Sequence, residues 1–428
     1  MKIFKKLFSI SIMLVTGFFC VSQEGQKQTL TIEDAVNLAN QNNITIKTSQ
    51  GSLNLLKAKN TFSWNSVSPS VSVKGSFADD FEKEALNYGI TGTVSMALST
   101  NLISSINGAK IAYESGKLTY EQTCRKIELS VRTSFYALLY EQENLRLQKQ
   151  NLSTAKSQYE QNQEKFKNGQ ISELDVMQSR VNYEQKIPTV QSIELQFNND
   201  LATFKQLIGM DQKTELVLDG SLEEILKIKK ITLPESSTPA PDVMSAEYDV
   251  QTAQNNLLAS RFSAYGPVIS ATYNYGKSQS YFGASDSTTD STTNSLSIGL
   301  SIPLDGYLPW STGAASIASS KVNVENAKMQ LENTKTTVAI QTENYIRKIN
   351  QGIAQVASLQ STADLAKQSY NMTKTAYNYG KADFLTLQSA SDNVLSSQVS
   401  LQNQAYSLIS TILNLEYLLG LPYGTLTK

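Results

Sequence analysis

Residues 155–169 read AKSQYEQNQEKFKNG and residues 366–380 read AKQSYNMTKTAYNYG. Both stretches open longer segments, 155–210 and 366–421, that align without a gap at a constant offset of 211. Tyr159 meets Tyr370, Phe166 meets Tyr377, Gly169 meets Gly380, Leu174 meets Leu385 and Gly209 meets Gly420. Self-similarity of this kind marks a chain assembled from two copies of one unit.

Apolar positions in each copy step by seven. Val131, Leu138, Leu145, Leu152, Tyr159 and Phe166 form one stripe, and Ile349, Val356, Ala363, Tyr370 and Tyr377 form its counterpart. Beyond each glycine the spacing resumes, through Val176, Tyr183, Val190, Phe197 and Phe204 and through Leu387, Val394, Leu401, Leu408 and Leu415. A single stripe would describe an ordinary amphipathic helix, but a sustained seven-residue period describes helices that coil around neighbours. Four stripes joined in pairs by lone glycines predict two antiparallel helical hairpins that turn at Gly169 and Gly380. Their first helices, over 108–168 and 313–379, are about 90 to 100 Å long at 1.5 Å per residue. Pro188 is expected to kink the return helix of the first copy, where the second has Val399.

Ahead of each hairpin the period changes to two. Val71, Val73, Gly75 and Phe77 alternate with Ser70, Ser72, Lys74 and Ser76, and Tyr88, Ile90, Val94, Met96 and Leu98 alternate with small or hydroxylic residues. In the second copy Ile269, Ala271, Tyr273 and Tyr275 alternate with Ser270, Thr272 and Asn274, and Leu296, Ile298, Leu300 and Ile302 with Ser295, Ser297, Gly299 and Ser301. These are two strand hairpins, 69–98 and 267–304. A soluble sheet with one buried face produces the same alternation. Strands of about nine to eleven residues match the tilted span of a bilayer, however, and small hydroxylic side chains suit a wet lumen. Aromatic residues gather at the ends, Trp64, Tyr265, Tyr307 and Trp310 on the helix side and Phe77, Tyr88, Tyr281 and Phe282 on the other, as membrane-interface girdles do. The polar connections Asp79 to Asn87 and Ser278 to Asn294 then read as extracellular loops.

Composition agrees with a chain that performs no chemistry. Among 428 residues there is no histidine, which excludes histidine-based triads, a histidine proton shuttle and the usual zinc, copper and non-haem iron sites. No cofactor is expected. With 37 basic against 38 acidic residues there is no basic face for nucleic acid. Lys2, Lys5 and Lys6, an apolar run from Leu7 to Phe19 and then Cys20-Val21-Ser22 have the layout of an export signal over residues 1–22. A lipid-attachment motif wants a small residue before its cysteine, and bulky Phe19 favours cleavage before Gln23 over acylation of Cys20. Cys124 is then the only cysteine of the mature chain, too few for an internal disulfide, and it reads as a packed thiol.

No later apolar run reaches the roughly 18 residues of a membrane helix, so any crossing must use strands. Four strands do not close a barrel, and open edges are intolerable in lipid. Three chains would supply twelve strands, enough for a barrel with a pore.

The whole mature chain resembles the TolC-type outer-membrane efflux protein family. The resemblance rests on the ordered, duplicated set: Leu30-Thr-Ile-Glu-Asp-Ala-Val-Asn-Leu-Ala39, strand hairpins opened by Pro69 and Pro267, Ile302-Pro303-Leu304-Asp305-Gly306 at a strand exit, and the paired turns around Gly169 and Gly380. It implies an α+β membrane channel: a homotrimer with a twelve-stranded barrel in outer-membrane lipid and coiled-coil hairpins forming an α-helical barrel across the periplasm. Such a channel-tunnel is the exit duct of a tripartite efflux or type I secretion system, docked to a periplasmic adaptor and an inner-membrane transporter. Residues 23–210 and 242–428 would be the two repeats, with helical hairpins over 108–210 and 313–420, and 211–241, with a short strand over 215–218, an equatorial segment and linker. The turns would form the periplasmic tip, with Phe166, Gly169, Asp175, Tyr377, Gly380 and Asp383 as its adaptor-docking positions, opening by an iris-like movement. Members carry aspartates six and nine residues after the second turn glycine, where Thr386 and Ser389 stand here. Asp383 would have to supply any acidic aperture ring, or else be a solvated turn carboxylate.

Other readings explain less. A periplasmic coiled-coil structural or adaptor protein accounts for the heptads but not for the alternating strands, and a passive porin leaves the helical portion without a role. Gly276-Lys277-Ser278 imitates the end of a phosphate loop without its first glycine, and Glu223-Glu224 and Asp79-Asp80 read as solvated surface rather than acid/base pairs.

Overall fold

A computed structural model describes residues 28–82, 85–231, 239–282 and 287–427; the expected export signal over 1–22 lies outside them. The elements run β1 (Gln28–Leu30), α1 (Ile32–Asn42), α2 (Ile44–Thr61), β2 (Ser70–Asp80), β3 (Ala85–Ser99), α3 (Asn101–Lys167), α4 (Glu173–Ile208), β4 (Leu216–Leu218), α5 (Pro241–Tyr265), β5 (Val268–Phe282), β6 (Ser287–Ser301), α6 (Thr312–Asn378) and α7 (Phe384–Leu418).

The duplication is literal in the long helices. Both α3 and α6 contain 67 residues. Shifting the bounds of α3 by 211 reproduces those of α6. At 1.5 Å per residue each is about 100 Å long. Helix α3 begins at Asn101, seven residues before the predicted start, because β3 passes into it through Thr100 with no intervening loop. Helix α4 remains helical through Pro188. The predicted stripes turn inward: Val131, Leu138, Val190, Phe204, Ile349, Val356, Leu401, Leu408 and Leu415 are buried. Helix α3 packs against α4 on one side and α7 on the other, and α7 packs in turn against α6, so the order across the protomer is α4, α3, α7, α6.

All four long strands lie in one antiparallel sheet ordered β2-β3-β5-β6, which joins the two strand hairpins through β3 and β5. The strands contain 11, 15, 15 and 15 residues, longer than the alternation predicts. Most of the stretches read as loops over 79–87 and 278–294 are strand. Their Thr and Ser residues carry no apolar alternation, yet the ladder continues through Lys277↔Thr292, Gln279↔Asp290 and Tyr281↔Thr288. Threonine is a good strand former, and every rung satisfies backbone groups.

A second, two-stranded sheet pairs β1 with β4 in parallel and ties the start of the described chain to the equatorial segment. The main core sits at this level. Leu30, Val36, Phe135, Phe204, Ile208, Leu218, Ile349, Leu408 and Ile412 meet there, and Leu421 and Leu426 of the C-terminal segment close it. Glu416 is completely buried beside them, and its carboxylate accepts the amides of Gly424 (3.0 Å) and Leu426 (2.8 Å). Arg125 of α3 clasps the same segment by donating to the Leu421 carbonyl at 2.5 Å.

No helix among the described residues is long and apolar enough to cross a membrane.

Candidate functional site: hairpin tips and sheet faces

At the tips, Lys167 and Asn378 end the two long helices, and the next turn requires a left-handed residue. Gly169 (φ 71°) and Gly380 (φ 69°) supply it, a conformation in which a Cβ is strained. Each turn has the paired amide bonds of a Schellman cap: Gly169 to Phe166 (2.8 Å) with Gln170 to Lys165 (2.8 Å), and Gly380 to Tyr377 (3.0 Å) with Lys381 to Ala376 (2.8 Å). The returning helices start on side-chain caps. Ser172 and Asp175 form a capping box. Asp383 accepts the Thr386 amide at 2.7 Å, and the hydrogen bonds from Thr386 hold its carboxyl below the usual carboxylate range. Both acidic tip positions are therefore engaged as helix caps. Thr386 and Ser389 are exposed on α7.

Phe166 and Tyr377 correspond under the repeat but lie differently. Phe166 is exposed, whereas Tyr377 is buried and packs edge-on against Phe384, with ring centroids 6.4 Å apart. The Tyr377 hydroxyl donates to Asn162 Oδ1 at 2.7 Å, and Lys165 Nζ lies 4.6 Å from the ring centroid. These contacts join the end of α6 to the end of α3 and so bind the two hairpins together.

Higher up, the hairpins meet along a polar seam that sequence reasoning missed. Asn144, Asn151 and Gln158 step by seven along α3, directly beside the apolar stripe. Among the described residues, the buried atoms Asn144 Oδ1 and Asn151 Oδ1, and Nδ2 of Asn162, find no hydrogen-bond partner. The direct links are few: Asn151 to Ser391 at 3.4 Å, and an ion pair between Lys186 of α4 and Asp392 of α7 at 2.9 Å. Polar residues at heptad spacing were the available signal; it reads as solvated surface until the facing helix is known. Near the equator Tyr140 and Tyr406 stack with centroids 6.1 Å apart. Beside them Glu141 has a buried oxygen without a partner. Burial, reinforced by the neighbouring Asp200 carboxylate, pushes Glu141 up to about 7.

Toward the helical end, the sheet separates an apolar face from a polar one. Cross-strand register places Val71, Val94, Tyr273 and Leu296 in one row and Leu98, Ile269 and Leu300 in another, all exposed. The opposite face carries Ser70, Ser95, Thr272 and Ser297 in one row and Ser72, Thr93, Asn274 and Ser295 in the next. Thr93 donates to Asn274 at 2.8 Å within this polar face. The apolar rows run from Leu98 to Gly92, about 20 Å along the strand; beyond them the same face carries Lys277 and Thr292 beside Ile90, then Gln279 and Asp290 beside Tyr88. At the helical end of the sheet stand Trp64, Tyr265, Tyr307 and Trp310. Trp64, Tyr307 and Trp310 are well exposed. Tyr265 packs edge-on against Tyr307 (5.0 Å) and donates to the Gly306 carbonyl at 2.9 Å.

Comparison with known proteins agrees with this architecture. The outer membrane efflux protein family profile matches residues 35–210 and 234–421. A search of curated protein sequences finds no match. Among solved structures, the Campylobacter jejuni CmeC outer membrane channel is similar at 19% identity and a TM-score of 0.76, over 91% of this chain and 85% of that one. The Vibrio cholerae outer membrane protein VceC is similar at 15% identity and a TM-score of 0.70, over 92% of this chain and 96% of that one. The open state of the Neisseria gonorrhoeae MtrE outer membrane channel is similar at 16% identity and a TM-score of 0.69, over 93% of this chain and 90% of that one. At these identities the likeness is one of fold.

Proposed function

Because the chain belongs to the outer membrane efflux protein family, and so is an outer-membrane exit duct reaching into the periplasm, we propose that it works as a homotrimer docked to a periplasmic adaptor and an inner-membrane transporter. The observation that carries the trimer is the four-stranded sheet, whose edges β2 and β6 have no partner among the described residues although its apolar face is built for lipid. Unpaired edges cost several kcal/mol per exposed backbone group in a bilayer, and three sheets joined β2 to β6 remove all of them.

The flanking helices support the same assembly. On α4, Leu174, Met177, Val181 and Leu195 are exposed, and on the far side of the protomer α6 exposes Leu365 and Met372. These are helical-period apolar rows without a cover in the single chain, suited to packing α4 of one protomer on α6 of the next.

In this reading residues 23–210 and 242–428 are the two repeats and 211–241 the equatorial link. The tip opens by separating the two hairpins along the underpaired seam, and Phe166, Gly169, Asp175, Tyr377, Gly380 and Asp383 present the surface that an adaptor engages. Trp64, Tyr265, Tyr307 and Trp310 anchor the periplasmic membrane interface. The chain does no chemistry on its cargo. Membrane extraction tests the proposal: a heat-modifiable trimer that conducts in planar bilayers and copurifies with an adaptor is expected. A soluble, non-conducting monomer sinks it.

A further inference from the structure

The polar face of the sheet is almost free of charge. From Ser70 to Ala78 on β2, and across the paired rows of β3, β5 and β6, it carries serine, threonine, asparagine, glycine and alanine, with Lys74 as its only ionisable residue. Lys74 is exposed, and no carboxylate among the described residues forms an ion pair with it. Its cross-strand row is Thr91, Gly276 and Thr293, none of which can neutralise it. The next charge on this face is Asp80, six residues along β2 and about 20 Å away, well beyond a Debye length of about 8 to 10 Å.

Closure of the barrel does not supply a counter-ion either. The strand that would pair with β2 is β6 of the next protomer. Asp290, the only acid among the described residues of β6, pairs with Gln279 on the opposite, outward face. Because side-chain direction has a period of two, no register that keeps the apolar rows facing lipid brings that carboxylate to Lys74.

We propose that three Lys74 ammonium groups form a ring inside the β-barrel that binds multivalent anions and repels multivalent cations. This rests on the trimeric duct proposed above. Twelve strands about 4.8 Å apart, tilted about 40°, give a backbone radius of about 12 Å. A lysine stem reaches about 6 Å inward, which leaves the three ammonium groups about 10 Å from one another. That spacing is close to the Debye length, so their potentials overlap across the whole opening. A lumen lined by hydroxyls and bounded by lipid focuses the field, and lysine rings are a known means of favouring anions in pores. The preferred solute carries several phosphate or carboxylate groups, enough to engage more than one ammonium at once.

Planar-bilayer recording on the purified trimer, with inorganic tripolyphosphate added from the β-barrel side, tests the ring. Wild-type current is expected to be blocked. Lys74→Gln should raise the half-blocking concentration about tenfold or more, Lys74→Glu should abolish block, and Lys74→Arg should retain it. A conducting wild type that is not blocked, or that is blocked equally in Lys74→Gln, overturns the ring alone. Chains that form no channel overturn the duct reading and the ring with it.

Discussion

The phenol of Tyr377 and the amide of Asn162 are 215 residues apart in sequence and 2.7 Å apart in space. This hydrogen bond spans the interface between the two hairpins near their free ends. On the same side chain, Asn162 Nδ2 is buried without a hydrogen-bond partner among the described residues.

Removing the hydroxyl with Tyr377→Phe keeps the ring against Phe384 and deletes only the link. Leaving the Asn162 amide without that partner costs about 1 to 3 kcal/mol of hairpin-to-hairpin contact. The expected outcome is an unchanged trimer with higher single-channel conductance, and identical conductance would count against a tip held by this contact.

Glu141 introduces a pH dependence whose sign follows from its raised pKa of about 7. The folded state holds this proton more tightly than the unfolded chain, so the stabilisation is complete below the unfolded carboxylate value and disappears as pH rises through about 7. After discounting for partial solvent screening it amounts to about 1 kcal/mol. Glu141→Gln should melt higher than wild type at pH 8 and equally at pH 4; thermal denaturation at the two pH values checks it.

The buried carboxylate of Glu416 organises the C-terminal segment by accepting two backbone amides. Glu416→Ala leaves those donors, and Arg125 above them, without their acceptor geometry, at a cost of about 2 to 4 kcal/mol. Proteolysis should then cut within 419–427 in the variant under conditions that spare the wild type.

Neighbouring positions on β6 discriminate the two sheet faces. Leu296→Arg places a charge among the apolar rows and should cost about 2 to 4 kcal/mol near the bilayer midplane. Ser295→Arg, one residue away on the polar face, should be tolerated. Heat stability of the trimer on gels reads the difference, and equal loss in both variants would contradict the assignment of faces.

The parts legible in the sequence are those where one period runs long enough to exclude another. Val131 to Phe166 announces a helix seam, and Gly169 and Gly380 its turns, because a left-handed residue is needed there and glycine is the cheapest one. Strand ends were hidden because Thr288, Thr289, Thr292 and Thr293 join the ladder through what they pair with rather than through any alternation of their own. The hairpin contacts were hidden for a related reason. Asn151, Gln158 and Asn162 are polar, and only the facing helix reveals that they are buried. Lys186 and Asp392 are 206 residues apart, and nothing local joins them.

The matched lengths of α3 and α6 restrict how the chain can be remodelled. With 67 residues in each, the two hairpins end level, and loss of one heptad from a single helix would offset its tip by about 10 Å from its neighbour. Any change in the depth of periplasm to be bridged must therefore be made twice within one polypeptide, in whole heptads and in both ascending and returning helices. The reach of the duct is a quantised property, adjustable only in coordinated steps.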